Sequence, residues 1–303
     1  MANQVPLTVI AGFLGAGKTT LINHLLKDND GVRYTVLVND FGDLAIDEDL
    51  IESHEGDTIA LANGCVCCSI GDDLIETLME ILAQEKRPDH IIIEASGVAD
   101  PRPIAEIGSL DPNLRRDLTI VVIDVDQIRK QQQDPLLQDT VERQLTAADL
   151  IALNHARDMD RAEQQDLEVW LEDKTNEPSF FVTEDGSLPT SLLSARAPFE
   201  TTQGHSHKHA HHGEVFRSET LRMRDGVCVD EVRQALGGLP PSVVRVKGYL
   251  VDGARSFEVQ KAGRRISIKS VAEKDERESL LVFIGTREMP EIAELEGLGK
   301  IFP

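Results

Sequence analysis

The chain has 303 residues, 41% hydrophobic and 28% charged, enough to bury a sizeable core in one large domain plus a smaller one. Its formal net charge of −22 argues against nucleic acid or an anionic membrane as the main partner, because an acidic surface repels both, and it suits attraction of cations. No basic-flanked apolar leader precedes the first strand and no run approaches the roughly 18 apolar residues of a membrane span, so a cytoplasmic protein is expected.

In chain order, an apolar strand "PLTVIAG" from Pro6 runs into "AGFLGAGKTT" and then into the helical "KTTLINHLLKD". A strand from Tyr34, "YTVLVND", ends at Asp40. A cysteine loop and a helix "GDDLIETLMEILAQE" follow, with Met79 at helical spacing among Leu and Ile and therefore expected in the core. Further strands start at His90 ("HIIIEAS"), Leu118 ("LTIVVIDV") and Leu150 ("LIALN"), and the helix "RAEQQDLEVWLED" is expected to bury Trp170. Val and Ile runs alternating with helices predict an α/β fold over residues 1–195, a doubly wound, mostly parallel sheet covered on both faces.

Residues 196–213 lack an apolar pattern and read as a His-rich linker. Residues 214–303 predict a smaller α+β domain. Its strands are "EVFRSETLRMRDG", "SVVRVKGYLVDG", "SFEVQ", "RRISIKS" and "LLVFIGT", with one helix "VDEVRQALGGLP" ended by Gly237 and Gly238. Cys228, near that helix start, is expected to be a packed thiol rather than a ligand.

Gly12, then Gly17, Lys18 and Thr19 at the spacing G-x-x-x-x-G-K-T, lie between a strand and a helix. In that context glycines turn consecutive backbone N–H groups around phosphate oxygens at a helix N-terminus. Lys18 would neutralise the outer phosphates and Thr19 would offer its hydroxyl to Mg²⁺. The carboxylates expected beside that magnesium are Asp40 and Glu94, each at the end of an apolar run. A guanine-reading loop would carry an Asn and, three residues on, an Asp. Here Asn154 is present, with His155 in place of the usual Lys and Arg157 in place of the Asp, while Asp158 and Asp160 reach the base only if the loop bulges. The alternative for Asn154 is a cap on the following turn.

Three of the four cysteines, Cys65, Cys67 and Cys68, fall in "CVCC". Thiolates this close suit one soft tetrahedral ion, Zn²⁺ before Co²⁺ or Cu⁺, with the fourth position left open for transfer. The competing readings are small buried hydrophobes and a redox-active vicinal pair at Cys67 and Cys68. His205, His207, His209, His211 and His212 form a loose imidazole array, a candidate for weak metal capture or simply a solvated linker.

Taken together, "GFLGAGKTT", "VNDFGD", "GCVCC", "IEASGVADP", "VRVKGYL" and "LVFIGT" resemble the CobW-like P-loop GTPases across nearly the whole chain. These are metallochaperones of the same broad class as the nickel inserters of hydrogenase and urease. The resemblance implies a SIMIBI-type GTPase fold with a CobW C-terminal-like domain. It implies GTP and GDP binding through Gly12, Gly15, Ala16, Gly17, Lys18, Thr19, Thr20, Gly97 and Asn154, and magnesium at Thr19, Asp40 and Glu94. It further implies zinc at Cys65, Cys67 and Cys68, and slow GTP hydrolysis with Lys18, Asp40 and Glu94 in the catalytic roles. The expected partner is a client apo-metalloenzyme, with a homodimer as candidate assembly. Two departures stand out: Asp40 replaces the customary Glu, and the degraded Asn-Lys-x-Asp signature leaves ATP open beside GTP. Rival readings are a cobalt-handling protein of cobalamin synthesis and a non-catalytic zinc buffer.

Overall fold

Val5–Ala11 (β1) is buried at every position, as a continuous apolar run must be when both faces of a sheet are covered. In the computed structural model, which describes residues 4–27, 31–38, 57–60, 70–176, 178–183, 186–193, 216–223, 226–253, 255–263, 265–271, 279–286 and 289–292, β1 is the central strand of seven. The others are Tyr34–Val38 (β2), Asp57–Ala60 (β3), His90–Glu94 (β4), Leu114–Asp124 (β5), Leu150–Asn154 (β6) and Ser179–Val182 (β7), in the order β3-β2-β4-β1-β5-β6-β7. Every described pairing in this sheet is parallel. From β1 the chain builds one flank through β2, β3 and β4 and the other through β5, β6 and β7. The order therefore reverses at the carboxyl end of β1, where doubly wound sheets open a crevice for ligands.

Helices Lys18–Lys27 (α1), Ile70–Ala83 (α2), Pro101–Leu110 (α3), Ile128–Gln133 (α4), Gln138–Ala147 (α5) and Arg161–Glu172 (α6) connect the strands. On α2, Leu74, Leu78, Ile81 and Leu82 point inward at the spacing of one helix face. Met79, expected in the core, is instead 60% exposed, and Ile75 one turn before it is 41% exposed. The apolar letters of α2 outnumber the positions its inward stripe can hold, and Met79 sits about 100° around the helix from Leu78. Trp170 on α6 is half-buried at the rim of the core rather than inside it, with Arg129 and Lys174 each 5.0 Å from its ring centroid.

Strand β5 begins at Leu114, ahead of the apolar run that starts at Leu118. Charged residues conceal that extension in the sequence, because Arg115 and Asp117 lie inside the fold and pair at 3.4 Å. Thr8 Oγ1 donates to Asp117 Oδ2 at 3.4 Å and lies 2.9 Å from His90 Nε2, so β1, β4 and β5 share one buried polar network.

The chain divides into two compact units, Ala2–Ala195 and Arg196–Pro303. Among its described residues, the second holds an antiparallel sheet of Phe216–Arg222 (β8), Arg245–Asp252 (β9), Arg255–Ala262 (β10), Arg265–Val271 (β11) and Leu280–Thr286 (β12), ordered β11-β10-β9-β12-β8, and the helix Val229–Gly237 (α7). Val246, Leu250, Val259, Leu281 and Phe283 form its inner face against Val232 and Leu236 of α7. Cys228 is half-buried with a free thiol and serves as the N-cap of α7, its own N–H bonded to Glu231 Oε2 at 2.9 Å. Among the described residues no helix is long and apolar enough to cross a membrane.

Lys261 lies on the same inner face, 6% exposed, with Nζ donating to Val243 O at 3.3 Å. Burial pushes its pKa down from 10.5 to about 8. The unfolded chain therefore holds a proton that the folded one has shed between about pH 8 and 10.5, and stability should rise with pH across that window. Lys261→Met should stabilise the second unit at neutral pH and flatten the rise, as read by denaturant unfolding at pH 7, 8.5 and 10. A slope unchanged by the substitution would place its origin elsewhere.

Candidate functional site

The loop after β1 turns on glycines that no other residue replaces. At Gly12, φ is 140°, and a Cβ there would lie 2.1 Å from Val122 O. At Gly17, φ is 102°, and a Cβ would lie 2.3 Å from Asn154 Nδ2. Ala16 N–H closes the loop onto Phe13 O at 3.1 Å, and α1 starts directly at Lys18, which is 8% exposed. The loop thus delivers the chain into a helix N-terminus, where unpaired N–H groups and the helix dipole favour an anion.

Because β4 is the parallel neighbour of β1, its last residue comes to the same end of the sheet. Glu94 is 3% exposed there, with Oε1 accepting from Thr19 Oγ1 at 3.4 Å and lying 4.0 Å from Lys18 Nζ. Three of the expected site residues therefore converge. Gly97 follows in a turn packed against the phosphate loop, where an added Cβ would meet Leu14 N at 2.9 Å. Gly15 and Thr20 are exposed at the loop and the first turn of α1. Asp40, Cys65, Cys67, Cys68 and the histidines His205, His207, His209, His211 and His212 lie outside the described residues.

Asn154, at the end of β6 and 5% exposed, does not cap the turn that follows it. Its Nδ2 donates to Ala16 O at 2.9 Å and its Oδ1 accepts from Thr183 Oγ1 at 2.8 Å, so one amide joins the phosphate loop to the residue after β7. His155 follows at φ 61°, a left-handed conformation for a residue with a side chain, and its Nδ1 lies 3.1 Å from Asp124 Oδ2. Asp158 belongs to the short 3₁₀ turn Ala156–Asp158. Asp160 is occupied as the N-cap of α6: Oδ1 accepts from Ala162 and Glu163 N–H at 2.8 and 2.9 Å, and Glu163 Oε2 accepts from Asp160 N–H at 2.9 Å. That capping box takes Asp160 as a helix start rather than as a base reader.

Reading the chain missed Thr183, Asp124 and the buried Gln144. Thr183 follows a strand too short to stand out, whereas Gln144 left a legible trace, a polar residue between Val141 and Leu145 on the inward face of α5.

A doubly wound parallel sheet whose first strand feeds a glycine loop and a helix N-terminus, with a buried carboxylate one strand away, defines a P-loop nucleotide-binding protein. The chain belongs to the CobW/HypB/UreG family: residues 6–181 match that family's nucleotide-binding domain, and residues 216–299 match the cobalamin synthesis protein cobW C-terminal domain. It is similar to the zinc chaperone CobW of Sinorhizobium sp, 30% identical with 96% of each chain covered. It is also similar to the zinc-regulated GTPase metalloprotein activator 1 of Schizosaccharomyces pombe, 39% identical over 44% of this chain and 35% of that one. Among solved structures, the Zn(II)-bound YjiA GTPase from E. coli aligns at 22% identity with a TM-score of 0.48, covering 94% of this chain and 95% of that one.

Proposed function

We propose that the protein is a GTP-hydrolysing metallochaperone that binds zinc through Cys65, Cys67 and Cys68 and delivers it to client apo-metalloproteins under nucleotide control. The observation that carries the nucleotide half is the meeting of Thr19 Oγ1 and Lys18 Nζ at the buried carboxylate of Glu94. Two hard oxygen donors side by side suit Mg²⁺, with Asp40 the third candidate, and a bound magnesium would supply charge neutralisation on the phosphates. Lys18 holds the outer phosphates, the loop from Gly12 to Thr20 wraps them, Glu94 orders Thr19, and Asn154 braces the loop while facing the base. Catalysis on this reading is positioning and charge neutralisation in a dry site.

The zinc half rests on the thiolate chemistry of the C-x-C-C run and on the likeness to zinc chaperones. The proposed organisation is a GTPase domain over 1–195, a His-rich linker over 196–213 that gathers metal weakly, and a CobW-type C-terminal domain over 214–303. The strongly acidic surface favours a cation-handling role in the cytoplasm. Asp40 and Glu94 bracket the cysteines in sequence, so a triphosphate that engages residues 39–51 would re-aim the thiolates.

The test is a chelator competition titration of zinc with Mg²⁺ plus a non-hydrolysable GTP analogue, repeated with Mg²⁺ plus GDP. The expected outcome is a difference of about tenfold, about 1.4 kcal/mol of coupling, which linkage requires to appear equally in nucleotide affinity. Coincident curves would leave a zinc buffer or a client-triggered mechanism instead of a switched carrier, and tighter Co²⁺ than Zn²⁺ binding would favour cobalt handling.

A further inference from the structure

The residues after Glu94 close a turn in which Ala99 N–H donates to Ser96 O at 3.0 Å. Two of its other carbonyls are gripped from across the fold. Gln144, on α5 and 2% exposed, donates through Nε2 to Gly97 O at 3.1 Å and to Ala99 O at 3.2 Å. One amide nitrogen thus spends both its hydrogens on a single turn. The same side chain lines a cavity of about 10 Å³ behind the phosphate loop with Phe13, Ala16 and Asp124, room for about one water, so the amide has little space to swing aside.

The turn's donors are arranged differently. Among the described residues, the N–H groups of Gly97 and Val98 make no backbone hydrogen bond, and the Ser96 hydroxyl, in a residue 4% exposed, has no partner. The described peptides are all trans, so each N–H points opposite to the carbonyl of its own peptide. Holding Gly97 O on Gln144 therefore turns Val98 N–H away from α5, and using Ser96 O within the turn directs Gly97 N–H outward. Leu14 of the phosphate loop packs directly on this turn. Donors without acceptors in a turn where Ser96 and Gly97 are buried, set against a phosphate-binding loop, call for an anionic oxygen.

We propose that Gln144 is a positioning residue for the terminal phosphate: by clamping the Gly97 and Ala99 carbonyls it sets the turn's donors and makes the site prefer a nucleoside triphosphate over a diphosphate. This rests on the nucleotide reading given above. A diphosphate ends one phosphoryl group short of the turn, so the clamp contributes only when the third phosphate is present. Without the clamp two carbonyls lose their donor, and the peptides are free to rotate toward new ones.

The experiment compares the full chain with Gln144→Met, similar in size but without donors, by titration with a non-hydrolysable GTP analogue and with GDP. The expected result is a roughly tenfold loss for the analogue, with GDP affinity held within about twofold. Equal losses for both nucleotides identify a purely structural glutamine, and no loss for either shows that the clamp is idle; each overturns the inference. Gln144→Asn keeps the amide one methylene short and should show a smaller loss in the same direction. It carries the test if the methionine variant fails to fold. An unaltered chain that binds neither nucleotide overturns the nucleotide reading itself, and this inference with it.

Discussion

Lys18→Ala is expected to reduce GTP hydrolysis by roughly 10²–10³-fold or more, the range found when a pre-organised donor to developing charge is removed. Lys18 is 8% exposed and its Nζ sits 4.0 Å from Glu94 Oε1, so it acts in a site where water screens poorly and its charge counts for more than on the surface. Its loss would remove the cation beside the Glu94 carboxylate that a triphosphate would otherwise meet. Affinity for GTP should fall along with the rate, since the same charge serves ground and transition states. Single-turnover hydrolysis, with thermal unfolding of the same sample, separates lost chemistry from lost fold. Hydrolysis within about threefold of the unaltered chain would remove the phosphate loop from the reaction.

The second large effect is expected at the other chemistry. Serine at Cys65, Cys67 and Cys68 together should lower zinc affinity by roughly 10³-fold or more, because hydroxyls at neutral pH are poor ligands where thiolates are good ones. GDP affinity should stay close to that of the unaltered chain, since the phosphate loop, Glu94 and Asn154 are positioned by β1, β4 and β6. Zinc that still binds tightly after the triple substitution would move the metal to the histidine tract. The two predictions together ask whether one chain carries two separable sites, and the nucleotide-dependent titration asks whether they communicate.

Much of this protein could be read directly from its residues. Continuous Val and Ile runs announce buried parallel strands because a strand covered on both faces has no polar side to show. The spacing of Gly12, Gly17, Lys18 and Thr19 announces a phosphate loop because few other sequences let a backbone turn so tightly into a helix. Local chemistry of that kind is carried by neighbours in the chain, and so it survives without a fold. Other features depended on residues far apart. Strand β5 starts inside a charged stretch because Asp117 finds Thr8 and His90 on other strands. Met79 lies outside because the width of the core, not the number of apolar letters, decides which face of α2 is covered.

The division is sharpest at the site itself. Residue type and spacing alone determined that Lys18, Thr19 and Glu94 are the kinds of groups a magnesium nucleotide needs. Only the parallel pairing of β1 with β4 decided that they meet. Asn154 could be read either as a base reader or as a cap, and only the approach of the phosphate loop on one side and Thr183 on the other removed the cap. Gln144 looked like one polar residue on a helix until α5 packed it beneath the Gly97 turn, 47 residues away in sequence. Hydrogen bonds of that length have no local signature, since the donor and its acceptors are ordinary until the sheet and helices bring them together.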